Sequence, residues 1–137
     1  MPRRLEAVYR ATDYVVEAPA AAFTLHVDEP SAALAALHAL HQVRSSAFIS
    51  AWNPASMPAT AAANEAAHRR LLGQLQAAGH GVIEGWGRDP AGAWPAERSV
   101  LVLGITAEEA RRLAAGFGQN ALLHAGADAV PRLVWLR

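Results

Sequence analysis

Residues 46 to 52, "SAFISAW", are apolar or small on both alternating faces: Phe48 and Trp52 lie on one, Ala47, Ile49 and Ala51 on the other. A strand with no polar face belongs in the middle of a sheet that is covered on both sides. This requirement constrains the fold more than any other feature of the chain. The run then stops at Asn53-Pro54. Proline cannot donate to a strand ladder and biases the residue before it towards extended backbone, so Asn53 is expected to leave the sheet extended and to present its carboxamide at the rim.

The covering layers are legible from periodicity. Pro30 and Ser31 mark a helix start, and Leu34, Leu37, His38 and His41 share one face of a helix over about 31 to 42. A longer helix over about 59 to 78 ends at Gly79; its buried stripe runs back from Leu75 through Leu71 and Ala67, and further back meets His68 and Asn64. "TAEE" at 106 to 109 is a capping box, Thr106 with Glu109, opening a helix with Ala110, Leu113, Ala114 and Phe117 on one face. Residues 4 to 11 suit a short helix. Strands are expected at "DYVVEA", at "AFTLHVDE" by its period-two alternation, at about 81 to 86 and 98 to 105 around a Gly/Pro/Asp-rich loop, and at "ALLHA" and "RLVWL". The expected fold is mixed α+β: one sheet of about five to seven strands, with parallel and antiparallel pairs, and three main helices. At 137 residues and 53% hydrophobic content, this is one domain over 1–137, large enough to bury a core without disulfides.

Strand 46 to 52, the long helix and strand 81 to 86 read as a β-α-β unit, so the two strands are expected to pair in parallel. Strand 98 to 105 then returns antiparallel from the same edge, and the last helix brings the start of 121 to 125 back to it. This topology gathers Asn53, Asn64, Arg88, Asp89, Trp94, Glu97, Ser99, Gln119 and Asn120 at one rim. Such rims hold ligands because backbone N–H groups and free side chains converge there.

Each of these residues also has a plain structural reading. Asn53 before a proline is commonly a turn residue bonding its own backbone. Asn64, an amide on a buried stripe, either ties down the loop at 53 to 58 or faces a pocket. Arg88, Asp89 and Glu97 are either a surface ion pair or parts of an acid-base site, with Glu97 the candidate acid or base. Gln119 and Asn120 follow the Gly116 cap as loop polarity unless the others converge on them. Glu84 shares a strand face with Val82 and Trp86, which places it at an edge strand or raises its pKa by burial. His38 and His41 at i, i+3 lack a third ligand at a recognisable spacing, so no metal is assigned. Trp94, in the loop, is the best of the four tryptophans as a ligand platform.

Composition narrows the partners. Twelve basic and twelve acidic residues cancel, so the field that draws a chain to nucleic acid or anionic membrane is missing, and no general nucleic-acid binding is expected. The pairs Arg3-Arg4, Arg69-Arg70 and Arg111-Arg112 read better as solvated faces than as phosphate sites. No cysteine is present, which removes thiolate metal sites and cysteine nucleophiles and fits a reducing compartment. With no signal-peptide core and no stretch near the roughly 20 apolar residues of a membrane span, a soluble cytoplasmic protein is expected. No complete catalytic, metal or cofactor motif occurs.

Four blocks, "AFISAWNP", "AANEAA", "GRDPAGAWPAERSVLVLGI" and "GFGQNAL", together resemble the DUF3293 family, small bacterial proteins of unassigned function; the likeness runs from about residue 5 to 124. The resemblance implies a small domain that usually stands alone and carries over no activity, cofactor or partner. The family's polar motif positions fall on Trp52, Asn53, Asn64, Gly87, Arg88, Pro90, Trp94, Pro95, Glu97, Gln119 and Asn120. The reading that follows is a pocket for a small polar or anionic ligand, lined by Trp52, Asn53, Asn64, Arg88, Trp94, Glu97, Gln119 and Asn120, with Arg88 meeting an anion. The alternative is a protein-interaction module, a regulator or the neutralising partner of a toxin, that uses the loop at 87 to 97 and Trp94 as its contact surface.

Overall fold

The computed structural model describes residues 2–136. Helix α1 (Arg3–Ala11) leads into a β1–β2 hairpin (Asp13–Val16, Phe23–Leu25), followed by α2 (Ala32–Leu40) and the buried strand β3 (Ser46–Ile49). A 3₁₀ turn (Pro54–Ser56) precedes α3 (Ala61–Ala77); then come β4 (Gly81–Arg88), β5 (Glu97–Leu103), α4 (Ala107–Gly116), β6 (Ala121–Ala125) and β7 (Arg132–Trp135). All seven strands join one sheet in the order β2-β1-β4-β5-β3-β6-β7.

Every pairing in it is antiparallel, which corrects the expected mixture of parallel and antiparallel pairs. β3 and β4 do run in the same direction, but β5 lies between them. β4 and β5 are joined by a short local loop and zip together first-neighbour, from Gly81 opposite Leu103 to Gly87 opposite Glu97. That hairpin fills the slot beside β3 into which a simple β-α-β unit would have placed β4. Four α-helices are described, the three main ones and the short N-terminal helix to which residues 4 to 11 are suited.

Both faces of β3 are covered, as its sequence requires. Ala47 and Ile49 pack with Leu71 and Leu75 of α3 and Ala110 and Ala114 of α4. Phe48 faces the opposite layer with Leu34 and Leu37 of α2, and its ring meets Tyr14 edge-on at 5.3 Å and 76°, a geometry that adds about 0.5–1.5 kcal/mol to the burial. The stripe of α3 is buried in the expected phase, at Asn64, Ala67, His68, Leu71 and Leu75. His68 Nε2 lies 2.9 Å from Glu84 of β4, and Arg98 of β5 donates to Glu84 at 3.5 Å and to Glu65 of α3 at 2.9 and 3.1 Å. Glu84 is therefore on a central strand, within a charged network that ties α3 to the sheet, and not on an edge. Caps bound the helices: Ser31, Thr60 and Thr106 each accept from the backbone N–H three residues on. The capping box of α4 is only half made, because the Glu109 carboxylate meets His80 at 3.0 Å. His38 bonds Ser46 at 2.8 Å, while His41 is exposed.

Candidate functional site

The antiparallel arrangement brings the ends of β3, β4 and β7 and the starts of β1, β5 and β6 to one end of the sheet. On the face shared with α2, a cross-strand row runs Tyr14, Gly87, Glu97. Strands lie about 4.8 Å apart, so Tyr14 and Glu97 stand roughly 10 Å from each other with no side chain between them. A cavity of about 290 Å³ opens over this gap. Phe48, Ser99 and Leu123 contribute to its sheet wall, Leu5, Val8 and Tyr9 of α1 cover it, and Trp52, Asn53, Ser56 and Trp94 complete it from two loops.

The chain beyond β3 is held in an unusual shape. Asn53, Ala55 and Ser56 all have positive φ, at 45°, 57° and 61°. Asn53 is thus left-handed, not extended as the following proline led one to expect; asparagine tolerates this region, and the contacts of its amide outweigh the pre-proline bias. Non-glycine residues held there cost of order 1–3 kcal/mol each, and they persist where surrounding bonds over-determine them. Three amides supply many of those bonds. Asn64 accepts from the Asn53 backbone N–H at 2.9 Å and donates to the Asn53 carboxamide at 2.8 Å. Gln119 donates to the Trp52 carbonyl at 3.2 Å, and Asn120 donates to the Ser56 hydroxyl at 2.9 Å. Gly118, itself at φ 68°, accepts from Ala55 N–H at 2.8 Å, and a Cβ there would lie 3.2 Å from the Pro54 ring. Only glycine suits that position.

Glu97 opens β5 and reaches the cavity. Its one side-chain hydrogen bond among the described residues is from Asn53 Nδ2 at 3.5 Å. Burial pushes its carboxyl above the usual carboxylate range, against a smaller opposing effect of the Asn53 amide. Burial likewise raises the Tyr9 hydroxyl, which lies 3.5 Å from Ser56, and the Glu97 charge adds to that rise. Tyr14 is raised further, again chiefly by burial, and donates to the Tyr9 carbonyl at 2.7 Å.

Of the rim residues expected from sequence, Trp52, Asn53, Trp94, Glu97 and Gln119 line the cavity, as does Ser99. Asn64 lies behind Asn53 and Asn120 behind Ser56, each one hydrogen bond away from the lining. Arg88 points elsewhere and pairs with Asp13 at 3.2 Å. Asp89 closes its own loop by accepting from Ala91 and Ala93 N–H. Sequence reasoning missed Tyr9, Thr12 and Tyr14. A signal for the first two was present: Leu5, Val8, Tyr9 and Thr12 stand at i, i+3, i+4 and i+7, one stripe of α1 that ends in hydroxyl groups. No group of three or more metal-ligating side chains occurs among the described residues.

No curated protein and no solved structure gave a significant match to the chain. One family model, described as a protein of unknown function (DUF3293), matches residues 49–122. The match is narrower than the resemblance over 5 to 124, and it leaves α1, β1 and Phe48 outside. Within it fall the strained loop, α3, the β4–β5 hairpin and the Gln119-Asn120 pair, the parts that shape the cavity from below. Because these residues make up more than half of the sequence, the chain belongs to the DUF3293 family.

Proposed function

We propose that this domain binds a small polar molecule in the cavity between α1 and the sheet end, with Glu97 as its polar anchor and Trp52 and Trp94 as walls. The observation that carries this reading is convergence: residues from α1, β1, β3, both flanking loops and β5 enclose one space of about 290 Å³. That is the small end of the range for ligand cavities, roughly 300–1,000 Å³, and a mostly apolar lining with a few placed polar groups is typical of them. Three of the six non-glycine residues with positive φ among the described residues, Asn53, Ala55 and Ser56, fall in the loop that forms one wall, which supports it further. Should chemistry follow binding, Glu97 is the acid or base. The anionic version of this reading loses support, since Arg88 is committed to Asp13. The interaction-module reading is weaker for a related reason: Trp94, its intended contact, lines the cavity.

Gly87 offers the test. It has no positive φ, and a Cβ there meets only ordinary contacts at 4.0 Å, so a leucine side chain grows into the cavity without backbone strain. A fragment screen read by NMR on the tryptophan indole N–H signals should yield ligands that shift Trp52 and Trp94 in the parent and not in Gly87→Leu. Ligands that bind both proteins alike would overturn the proposal.

A further inference from the structure

Building on that reading of the cavity, we infer that its ligand is a small organic cation, an alkylammonium group carrying a short apolar tail. The polar groups of the lining are unbalanced. Thr12 donates to the Val8 carbonyl at 2.7 Å, Tyr14 to Tyr9, Ser50 to the Arg98 carbonyl at 3.0 Å, Ser99 to the Glu97 carbonyl at 3.3 Å, and Gln119 to Trp52. The lining has directed these donors into its own backbone. Beside the Tyr9 and Ser56 hydroxyls, 3.5 Å from each other, and the Trp52 and Trp94 indoles, the lining keeps one acidic side chain, Glu97, with room for about four hydrogen bonds and only the one long contact from Asn53. A partly buried carboxylate needs a counter-charge or donors. The protein supplies no ion pair to Glu97 among the described residues: Arg10 meets Glu6 and Asp28, Arg88 meets Asp13, and Arg98 meets Glu65 and Glu84. The chain has no lysine, so no side-chain ammonium of its own competes for the site.

An ammonium head satisfies both deficits, bringing three donors and a positive charge. Trp52, Trp94 and the two tyrosines line the same space, and aromatic rings attract a cation through their negative faces. The apolar remainder of the lining, Phe48 and Leu123 among it, suits a hydrocarbon tail and leaves no partner for a second charge. The tyrosine hydroxyls stay neutral, because burial raises both. A carboxylate ligand would instead meet Glu97 as a like charge.

Three probes with one carbon skeleton decide the matter: n-hexylammonium, 1-hexanol and hexanoate, titrated at neutral pH and followed by NMR at the Trp52 and Trp94 indoles. The ammonium should bind at least about tenfold more tightly than the alcohol, and hexanoate more weakly than either. In Glu97→Gln the preference of ammonium over alcohol should vanish while the alcohol still binds, which separates loss of charge from loss of fold. Equal or tighter binding of the alcohol or of hexanoate would overturn the cation assignment and leave the cavity proposal standing. A preference for ammonium that survives Glu97→Gln would overturn it as well. If no probe binds, the assignment fails, and the comparison of the parent with Gly87→Leu then judges the cavity by itself.

Discussion

Glu97 and Asp13 stand two strands apart at the same end of the sheet, and acid should act on them in opposite senses. Asp13 is held below the usual carboxylate range by its hydrogen bond with His26 and then by Arg88. Its stabilisation is therefore present above the ordinary value of about 3.9 and fades as pH falls through the lower folded value. Glu97 is raised by burial, so its favourable contribution is full below about 4.3 and is lost as pH climbs through the raised folded value. Glu97→Gln, which mimics the protonated acid, should melt at a higher temperature than the parent at pH 7 to 8, with the gap closing by about pH 4. A gap of constant size across that range would show that the carboxyl is not raised. Asn64 works differently. Replacing it by alanine leaves the Asn53 N–H and carboxamide without their 2.9 and 2.8 Å partners, and chemical denaturation should record a loss of roughly 1–3 kcal/mol. Sequence placed Asn64 inside the fold by its phase on α3. Whether it would face a ligand or another amide was invisible, because that depends on a left-handed turn eleven residues earlier in the chain.

At the scale of elements, α3 and α1 are opposites. Leu71 and Leu75 of α3 are fully buried, so Leu71→Ala and Leu75→Ala should each cost about 2–5 kcal/mol in denaturant unfolding, as other leucine truncations in packed cores do. An unchanged midpoint for both would mean that the stripe is not packed as described. Helix α1 has no buried residue, although Leu5, Val8 and Tyr9 cover the cavity. Elements that bury little open at low free-energy cost. In hydrogen exchange the α1 amides should therefore exchange well before those of α3, and a cavity ligand should slow α1 selectively; equal protection of the two helices in the free protein would contradict this. The N-caps at Ser31, Thr60 and Thr106 were legible because each signal is local, an oxygen three residues from the N–H it accepts. The reciprocal half of the last capping box was not, since His80 reaches Glu109 from a distant part of the chain.

For the molecule as a whole, the balance of charge governs what it meets. Twelve basic residues against twelve acidic ones, with Arg10, Arg88, Arg98, Arg112 and Arg132 paired to acidic neighbours, give no net positive field to neutralise phosphates. Gel shifts with arbitrary duplex DNA should show no micromolar binding at physiological salt, and a steeply salt-dependent complex would contradict this. No helix among the described residues is long and apolar enough to cross a membrane. By itself, the sequence determined that β3 is central and covered on both faces, where the helices begin, which stripe of α3 is buried, and that Asn53, Glu97 and Gln119 come to one end of the sheet. Those properties follow from periodicity, caps and strand direction, which are written locally. Only the tertiary structure decided which strand lies beside which, because an apolar run records that both faces are covered and is silent on its neighbour's direction. The rim survived that error: β3 and β4 keep a common direction with β5 between them, and direction, not adjacency, sets which ends meet. The cavity itself depends on what is missing at Gly87, on the roof that α1 lays over it, and on hydrogen bonds that turn the surrounding donors away from Glu97, none of which a linear pattern can express.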